Sequence, residues 1–261
     1  MKCRDILCKL YGLAPPEMAE EWDNVGLLAG RPEKEVKRVY IALDATDDVI
    51  EEAAKTRSEL LLTHHPMIFK PMKSVTGDDF TGRRLIELIR NDISYIALHT
   101  NYDVCRMADV AAERLGLSET EPLCCIKTDE IGNSRGLGKT GALSAPCTLR
   151  ECAELVKEVF HIPDVRIYGD ADSLVERAAV LPGSGGSESA YALGKDADVY
   201  ITGDISHHQG LDAVLQGLSV IDAGHYGIEK LFIRDMEEWF GKNIPELRIF
   251  TEEVKEPFRT V

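Results

Sequence analysis

Two adjacent histidines, His64 and His65, sit in ELLLTHHPMIF (residues 59–69), where an apolar run ends in imidazoles and is closed by Pro66. The same chain carries His99 and Asp103 in HTNYD, and His225 and Glu229 in IDAGHYGIEK. Imidazole and carboxylate are the donors that borderline divalent cations take. If the last segment is helical from Gly224 onward, positions 225 and 229 stand one turn apart on one face, a chelating spacing. Neighbouring residues of an extended chain point to opposite sides, and Pro66 biases His65 toward extended backbone. His64 and His65 then serve two adjacent ions more easily than one. Two ions need about eight to twelve ligand positions. Five side chains suffice only with bridging carboxylates and coordinated water, in an open site with its ions about 3.5–4 Å apart. Each signal has an ordinary alternative: HHP is short, strand-end histidines are commonly hydrogen-bonded surface residues, and a His–Glu pair four apart is commonly a solvated pair. What unites them is position, because each follows an apolar strand.

The elements that would position these groups alternate regularly. A helix over about 2–13 leads through Pro15-Pro16 into a loop-like EEWDNVGLLAG. RVYIALD (38–44), ELLLTHH and ISYIALH (93–99) read as strands, separated by the helical DDVIEEAAKT and TGRRLIELIRND. ADVAAERLGL follows as a helix with a C-cap signal at Gly116. Helices of this length between strands predict βαβ crossovers and a largely parallel sheet, with ligands gathered at the carboxyl ends of the strands. After the breaker-rich NSRGLGKTG come a helix (TLRECAELVKEVF), strands in RAAVLPG, ADVYITGD and LSVIDAGH, a long helix near 225–241 and a closing ELRIFT. A lobe boundary is placed near residue 122, giving lobes 1–122 and 123–261, because Glu121-Pro122 and CCIKTDEIGNS carry the weakest patterning.

Composition limits the function classes. The 261 residues suffice for one large α/β domain or two lobes without a stabilising staple. A formal charge of −15 repels a phosphate backbone, so nucleic acid is disfavoured as a partner. The seven cysteines show no CxxC spacing, no segment has signal-peptide character, and no apolar run is long enough for a membrane span. A cytoplasmic, membrane-free protein is expected.

Seven segments, EEWDNVGLLAG, ALDAT, LLLTHHPMIFK, IALHTNYD, LPGSGG, ITGDISHHQGLDA and IDAGHYGIEK, run through nearly the whole chain. In them the sequence resembles the NIF-three-like dinuclear metal-centre proteins, also labelled GTP cyclohydrolase I type 2 homologues. The resemblance implies an α/β, NIF-three-like fold over 1–261, with two lobes of largely parallel or mixed sheets flanked by helices, in the short form without an inserted middle domain. It implies His64, His65, Asp103, His225 and Glu229 as ligands of two divalent metal ions per subunit, with the ligand helix near the C-terminus returning to an inter-lobe cleft. It also implies a toroidal homohexamer. Zn, Fe, Mn, Co and Ni all fit a His and carboxylate set without thiolate. Two carboxylates against two dications leave the centre net positive, about +2, or about +1 with a bridging hydroxide, which suits an anionic or nucleotide-like substrate. Two functions remain open: a metal-dependent hydrolase acting on a nucleotide or phosphate-containing substrate, and a non-enzymatic metal-binding scaffold, store or chaperone.

His99 is a candidate for orienting a ligand or holding a water, with strand-end capping as its alternative. Asp44 is a candidate base or acceptor, or the cap of the helix beginning near Thr46. LPGSGGSE, with Gly183 and Gly186, either cradles an anion with backbone amides or forms a packed glycine turn; it lacks the P-loop and dinucleotide signatures. Trp22, Asp23 and Asn24 either line the site, with the indole stacking a ring, or belong to the core. Asp204 and His208 repeat the four-residue spacing and are expected as a buried polar pair.

Overall fold

The computed structural model describes residues 1–128 and 131–258, so Asp129 and Glu130 of the weakly patterned CCIKTDEIGNS lie outside the described residues. In chain order the elements are α1 (Cys3–Leu13), a 3-10 turn (Pro16–Met18), β1 (Gly26–Ala29), β2 (Arg38–Ala42), α2 (Asp47–Lys55), β3 (Leu60–Thr63), α3 (Phe80–Arg90), β4 (Ser94–Ala97) and α4 (Thr100–Tyr102). A π-helical turn (Asp103–Met107) precedes α5 (Ala108–Leu115), β5 (Ser118–Thr128), β6 (Ser134–Thr148), α6 (Leu149–Phe160), β7 (Arg166–Tyr168) and β8 (Leu174–Ser184). Then come α7 (Ser189–Leu193), β9 (Val199–Gly203), α8 (His207–Leu215), β10 (Ser219–Asp222), α9 (His225–Glu229), α10 (Leu231–Asn243) and β11 (Arg248–Thr251).

These elements form two compact units. Among the described residues, the first comprises 1–102 and 232–254, the second 103–231 and 255–258. The division falls after Tyr102, whereas residue 122, where the patterning weakens, lies inside β5. Unit one holds a sheet ordered β1-β4-β3-β2-β11, parallel throughout except for β1 against β4. Its central strands are buried on both faces and so read as continuous apolar runs, LLL in β3 being the plainest. In the β2–β3–β4 register Ala42, Thr63 and Ala97 stand side by side, which puts the residues following each strand at one edge of the sheet. The second sheet is mixed, ordered β5-β6-β8-β9-β10-β7 among the described residues, with β8, β9 and β10 parallel. There Ser184 pairs Gly203, and Thr202 pairs Asp222, so the ends of those three strands are likewise aligned. The expected α/β class with largely parallel or mixed sheets holds for both units.

Four elements differ from the reading of the sequence. VGLLAG is strand β1 rather than loop. NSRGLGKTG, taken as a break, is most of the first half of β6. Its glycines mark close backbone approach: a Cβ on Gly136 would stand 2.4 Å from Cys124 O, and one on Gly138 2.8 Å from Val180 O. The long helix near 225–241 is two, α9 and α10, parted at Lys230, whose buried ammonium is held by His161 O at 3.0 Å and by Glu256 at 3.2 Å. The short β7 was not anticipated and pairs antiparallel with β10. Gly116 does close α5 in the left-handed conformation, with φ 68°. The cysteines among the described residues are free thiols. No helix among the described residues is long and apolar enough to cross a membrane.

Glu252, just past β11, fastens the first sheet at its functional edge. It accepts the Leu43 N–H at 3.2 Å, and its own N–H donates to Ile41 O at 2.9 Å. Burial pushes its carboxyl up, the Leu43 N–H opposes this, and the charge of Asp44 adds to it, the result being about 7. The folded chain then holds a proton that the unfolded chain releases near the ordinary glutamate value of 4.5. Stability falls as pH rises between those two values and is flat above the higher one, by up to about 3 kcal/mol. Urea unfolding midpoints measured across that window are expected to decline for the native sequence and to stay level for Glu252→Gln, which keeps the acceptor and cannot ionise.

Candidate metal centre

In unit one, β3 ends at Thr63, and His64 and His65 lie in the bend that follows rather than in extended backbone. Their ring centroids are 4.9 Å apart, and that of His99, two residues beyond β4, is 5.3 Å from His64 and 5.7 Å from His65. One ligand atom from each of the three comes within 4.8 Å of the others, close enough for a shared ion. The bend is latched by Tyr95, buried in β4: its hydroxyl donates to His65 O at 3.0 Å and accepts the Met67 N–H at 2.8 Å. Burial pushes that phenol up to about 12, so it acts as a fixed neutral hydrogen-bonding group.

Each of the three rings is oriented through Nδ1. His64 Nδ1 stands 2.8 Å from Leu98 O. A carbonyl only accepts, so this nitrogen carries the proton and Nε2 is the atom through which the ring could ligate. His65 Nδ1 is 2.9 Å from Asp44 Oδ1, and His99 Nδ1 is 2.8 Å from Asp23 Oδ1. Asp44 therefore orients a histidine, and the cap of α2 is Thr46, whose hydroxyl accepts the Val49 N–H at 3.2 Å. Asp23 has a fully buried side chain that also accepts the Thr100 N–H at 3.0 Å and the Thr100 hydroxyl at 2.5 Å. Burial pushes its carboxyl up, but the hydrogen bonds from His99 and Thr100 and the His99 charge outweigh that and hold it at about 2.

In unit two the four-residue spacing brings His225 and Glu229 together on α9, His225 Nε2 lying 2.9 Å from Glu229 Oε2. Glu229 is 3% exposed, a carboxylate that needs polar or cationic company at that depth. Room for it comes from Gly183: at φ 81° a Cβ there would stand 2.4 Å from Glu229 Oε1 and 3.8 Å from His225 Nε2. Gly203 likewise lets the end of β9 meet the His225 backbone, where a Cβ would lie 2.5 Å from its nitrogen. The glycine-rich LPGSGGSE is thus a packed turn at the carboxylate, and the helix after it, α7, spans only five residues.

His225 Nδ1 is 3.0 Å from Asp204 Oδ2. This corrects the expected Asp204–His208 pair. Asp204 precedes Ser206, the N-cap of α8, so no helical spacing links it to His208, and both residues are exposed. The two loops after β9 and β10 are anchored by Asp222, which accepts the Ile205 N–H at 3.2 Å and the Gly224 N–H at 3.0 Å and pairs with Arg166 at 2.5 Å. Sequence reasoning passed over Asp222 and Tyr95, which read as strand residues; the Asp-Ala-Gly turn signal was the available hint. Asp103 opens the π-helical turn, a backbone form frequent at functional sites. Trp22 is 58% exposed and is not core.

His, Asp and Glu side chains in groups able to hold a metal ion are thus present among the described residues. The donor set of imidazole nitrogens with outer carboxylate partners fits a divalent cation of the first transition row.

Comparison with known proteins shows the family. The family model of Duf34/NIF3 (NGG1p interacting factor 3) matches residues 1–257. A GTP cyclohydrolase 1 type 2 homolog of Clostridium perfringens is 32% identical over 265 residues, covering 100% of both chains. A Bacillus cereus protein related to NIF3 superposes with a TM-score of 0.89 at 25% identity, over 100% of this chain and 99% of that one. Reduced HcgD from Methanocaldococcus jannaschii superposes with a TM-score of 0.82 at 32% identity, over 96% and 97% of the two chains. With a match over almost its full length, the chain belongs to the Duf34/NIF3 family.

Proposed function

We propose that the protein binds two divalent metal ions through His64, His65, Asp103, His225 and Glu229 and is a metal-dependent hydrolase acting on a nucleotide or phosphate-containing substrate. The observation that carries this reading is the shared orientation of the imidazoles: His64, His65 and His225 each have Nδ1 engaged by a carbonyl or carboxylate, as metal-ligating histidines do. The name shared by curated relatives, GTP cyclohydrolase 1 type 2 homolog, supports a nucleotide as substrate. Ions held there would supply Lewis acidity and water activation near neutral pH.

The chain's own groups divide the remaining work. Asp44 and Asp204 set the direction of His65 and His225 and increase their basicity. His99, with its Nδ1 proton donated to a carboxylate held at about 2, presents Nε2 to take or return a proton beside the ligands. Glu229, buried against His225, is poised to bridge or to terminate coordination. In this reading the subunits assemble as a toroidal homohexamer.

Metal analysis of the purified protein tests the ligand set. About two equivalents per chain are expected for the native sequence, and one or fewer for His64→Ala and for Glu229→Ala; retention of both ions by both variants overturns it. Asp44→Asn is expected to keep the ligands and weaken metal affinity by about 10–100-fold in a competitive chelator titration. Gly183→Ala has to displace Glu229 and occupy a left-handed φ, so its metal affinity should drop at least about tenfold while its unfolding free energy moves by only about 1–3 kcal/mol.

A further inference from the structure

Trp22 and Phe69 are 58% and 48% exposed, although aromatic rings of this size usually contribute to a core. Their centroids are 5.6 Å apart at 49°, which makes an open wedge rather than a flat patch. Both rings stand against His99, at 6.0 Å for Trp22 and 6.5 Å for Phe69, and so border the imidazole group of unit one.

The backbone beside each ring is fixed. Trp22 is followed by the fully buried Asp23 carboxylate, which is tied to His99 and Thr100. Asn24 Nδ2 donates to Ile68 O at 2.6 Å, clamping the residue before Phe69. A mobile surface loop has no need of such bonds, whereas a recognition surface gains from being set in advance. Aromatic side chains bury roughly 150–250 Å² each in full, and these two are only about half exposed, which leaves them well short of the ~800 Å² per partner of a stable protein interface. They do match the face of one bicyclic heterocycle. Lys70 and Lys73 are exposed on the segment that follows Phe69, while Glu20 and Glu21 precede Trp22.

We infer that Trp22 and Phe69 are a stacking platform for the planar base of a nucleotide whose reacting end lies toward His99, His64 and His65. This rests on the metal-dependent reading above and adds to it the recognition of a base.

The test uses metal-loaded full-length protein, with GMP and ribose 5-phosphate as probes in calorimetric titrations. GMP should bind more tightly than ribose 5-phosphate. Trp22→Ala and Phe69→Ala should each weaken GMP by about 5–150-fold, Trp22→Phe by less, and all should leave ribose 5-phosphate affinity and metal content unchanged. In a Trp239→Phe background, GMP should quench the fluorescence of Trp22 saturably. Equal affinities of the native protein for the two probes, or unchanged GMP binding by both alanine variants, overturn the inference. So does a Trp22→Ala variant that alters the sedimenting species and not GMP affinity, which would assign the wedge to a subunit contact. Absence of metal from the native protein defeats the functional reading instead, and base stacking is then read from the GMP and ribose 5-phosphate arms alone.

Discussion

A histidine is useful to a metal ion or a proton only when its ring has one direction and one tautomer, and the contact that supplies both here is the hydrogen bond at Nδ1. Four rings have it: His64 to Leu98 O, His65 to Asp44, His99 to Asp23 and His225 to Asp204. Remove the acceptor and either nitrogen can face the site, with the ring free to turn about its last torsion. Three of the acceptors are side-chain carboxylates. The fourth is a backbone carbonyl just past β4, which cannot be mutated away. The arrangement depends on strand register, because Ala42, Thr63 and Ala97 are neighbours and Asp44, His64, His65 and His99 each lie within two residues of one of them.

Register in turn is set by burial. The β2, β3 and β4 strands carry Ile41, Leu61, Leu62, Tyr95 and Ile96, all wholly buried, and a slip along any strand would repack this core and carry Asp44, His64, His65 or His99 out of alignment at the sheet edge. Tyr95 joins the two scales. Its ring lies in the core beside Leu61 and Ile93, and its hydroxyl holds the turn that carries His65 and Met67. Packing in the sheet therefore reaches the imidazoles through one phenol, without a flexible intermediary.

Much of this was legible in the chain, and the failures share a cause. Amphipathic helices and apolar strands announce themselves by period, so α2, α3, α5 and α6 and strands β2, β3 and β4 were expected within a few residues. The chelating spacing of His225 and Glu229 was also readable, since a helix turn fixes it. Glycine misled in β6, where it was taken for a breaker and instead permits close approach to Cys124 and Val180. Gly183 shows the same ambiguity: its sequence context allows an anion loop or a packed turn, and only the position of Glu229 gives its purpose. The Asp204–His208 pair failed because a four-residue spacing means contact only inside a helix, and Trp22 stayed open between site and core because a tryptophan is core only when something covers it.

The end of β9 shows where the fold accepts strain to complete the site. Asp204 is a non-glycine residue at φ 55°, directly after Gly203, whose missing side chain admits the His225 backbone. A left-handed residue costs on the order of 1 kcal/mol for most side chains and less for aspartate, whose short polar group tolerates it. The reversal turns the chain out of the strand at once, so that a carboxylate two residues past Thr202 meets the Nδ1 of a histidine three past Asp222, its register partner. A regular continuation of β9 would carry that carboxylate along the strand direction and away from the ring. The strain, the adjacent glycine and the exposed aspartate thus have a common explanation in the orientation of one imidazole.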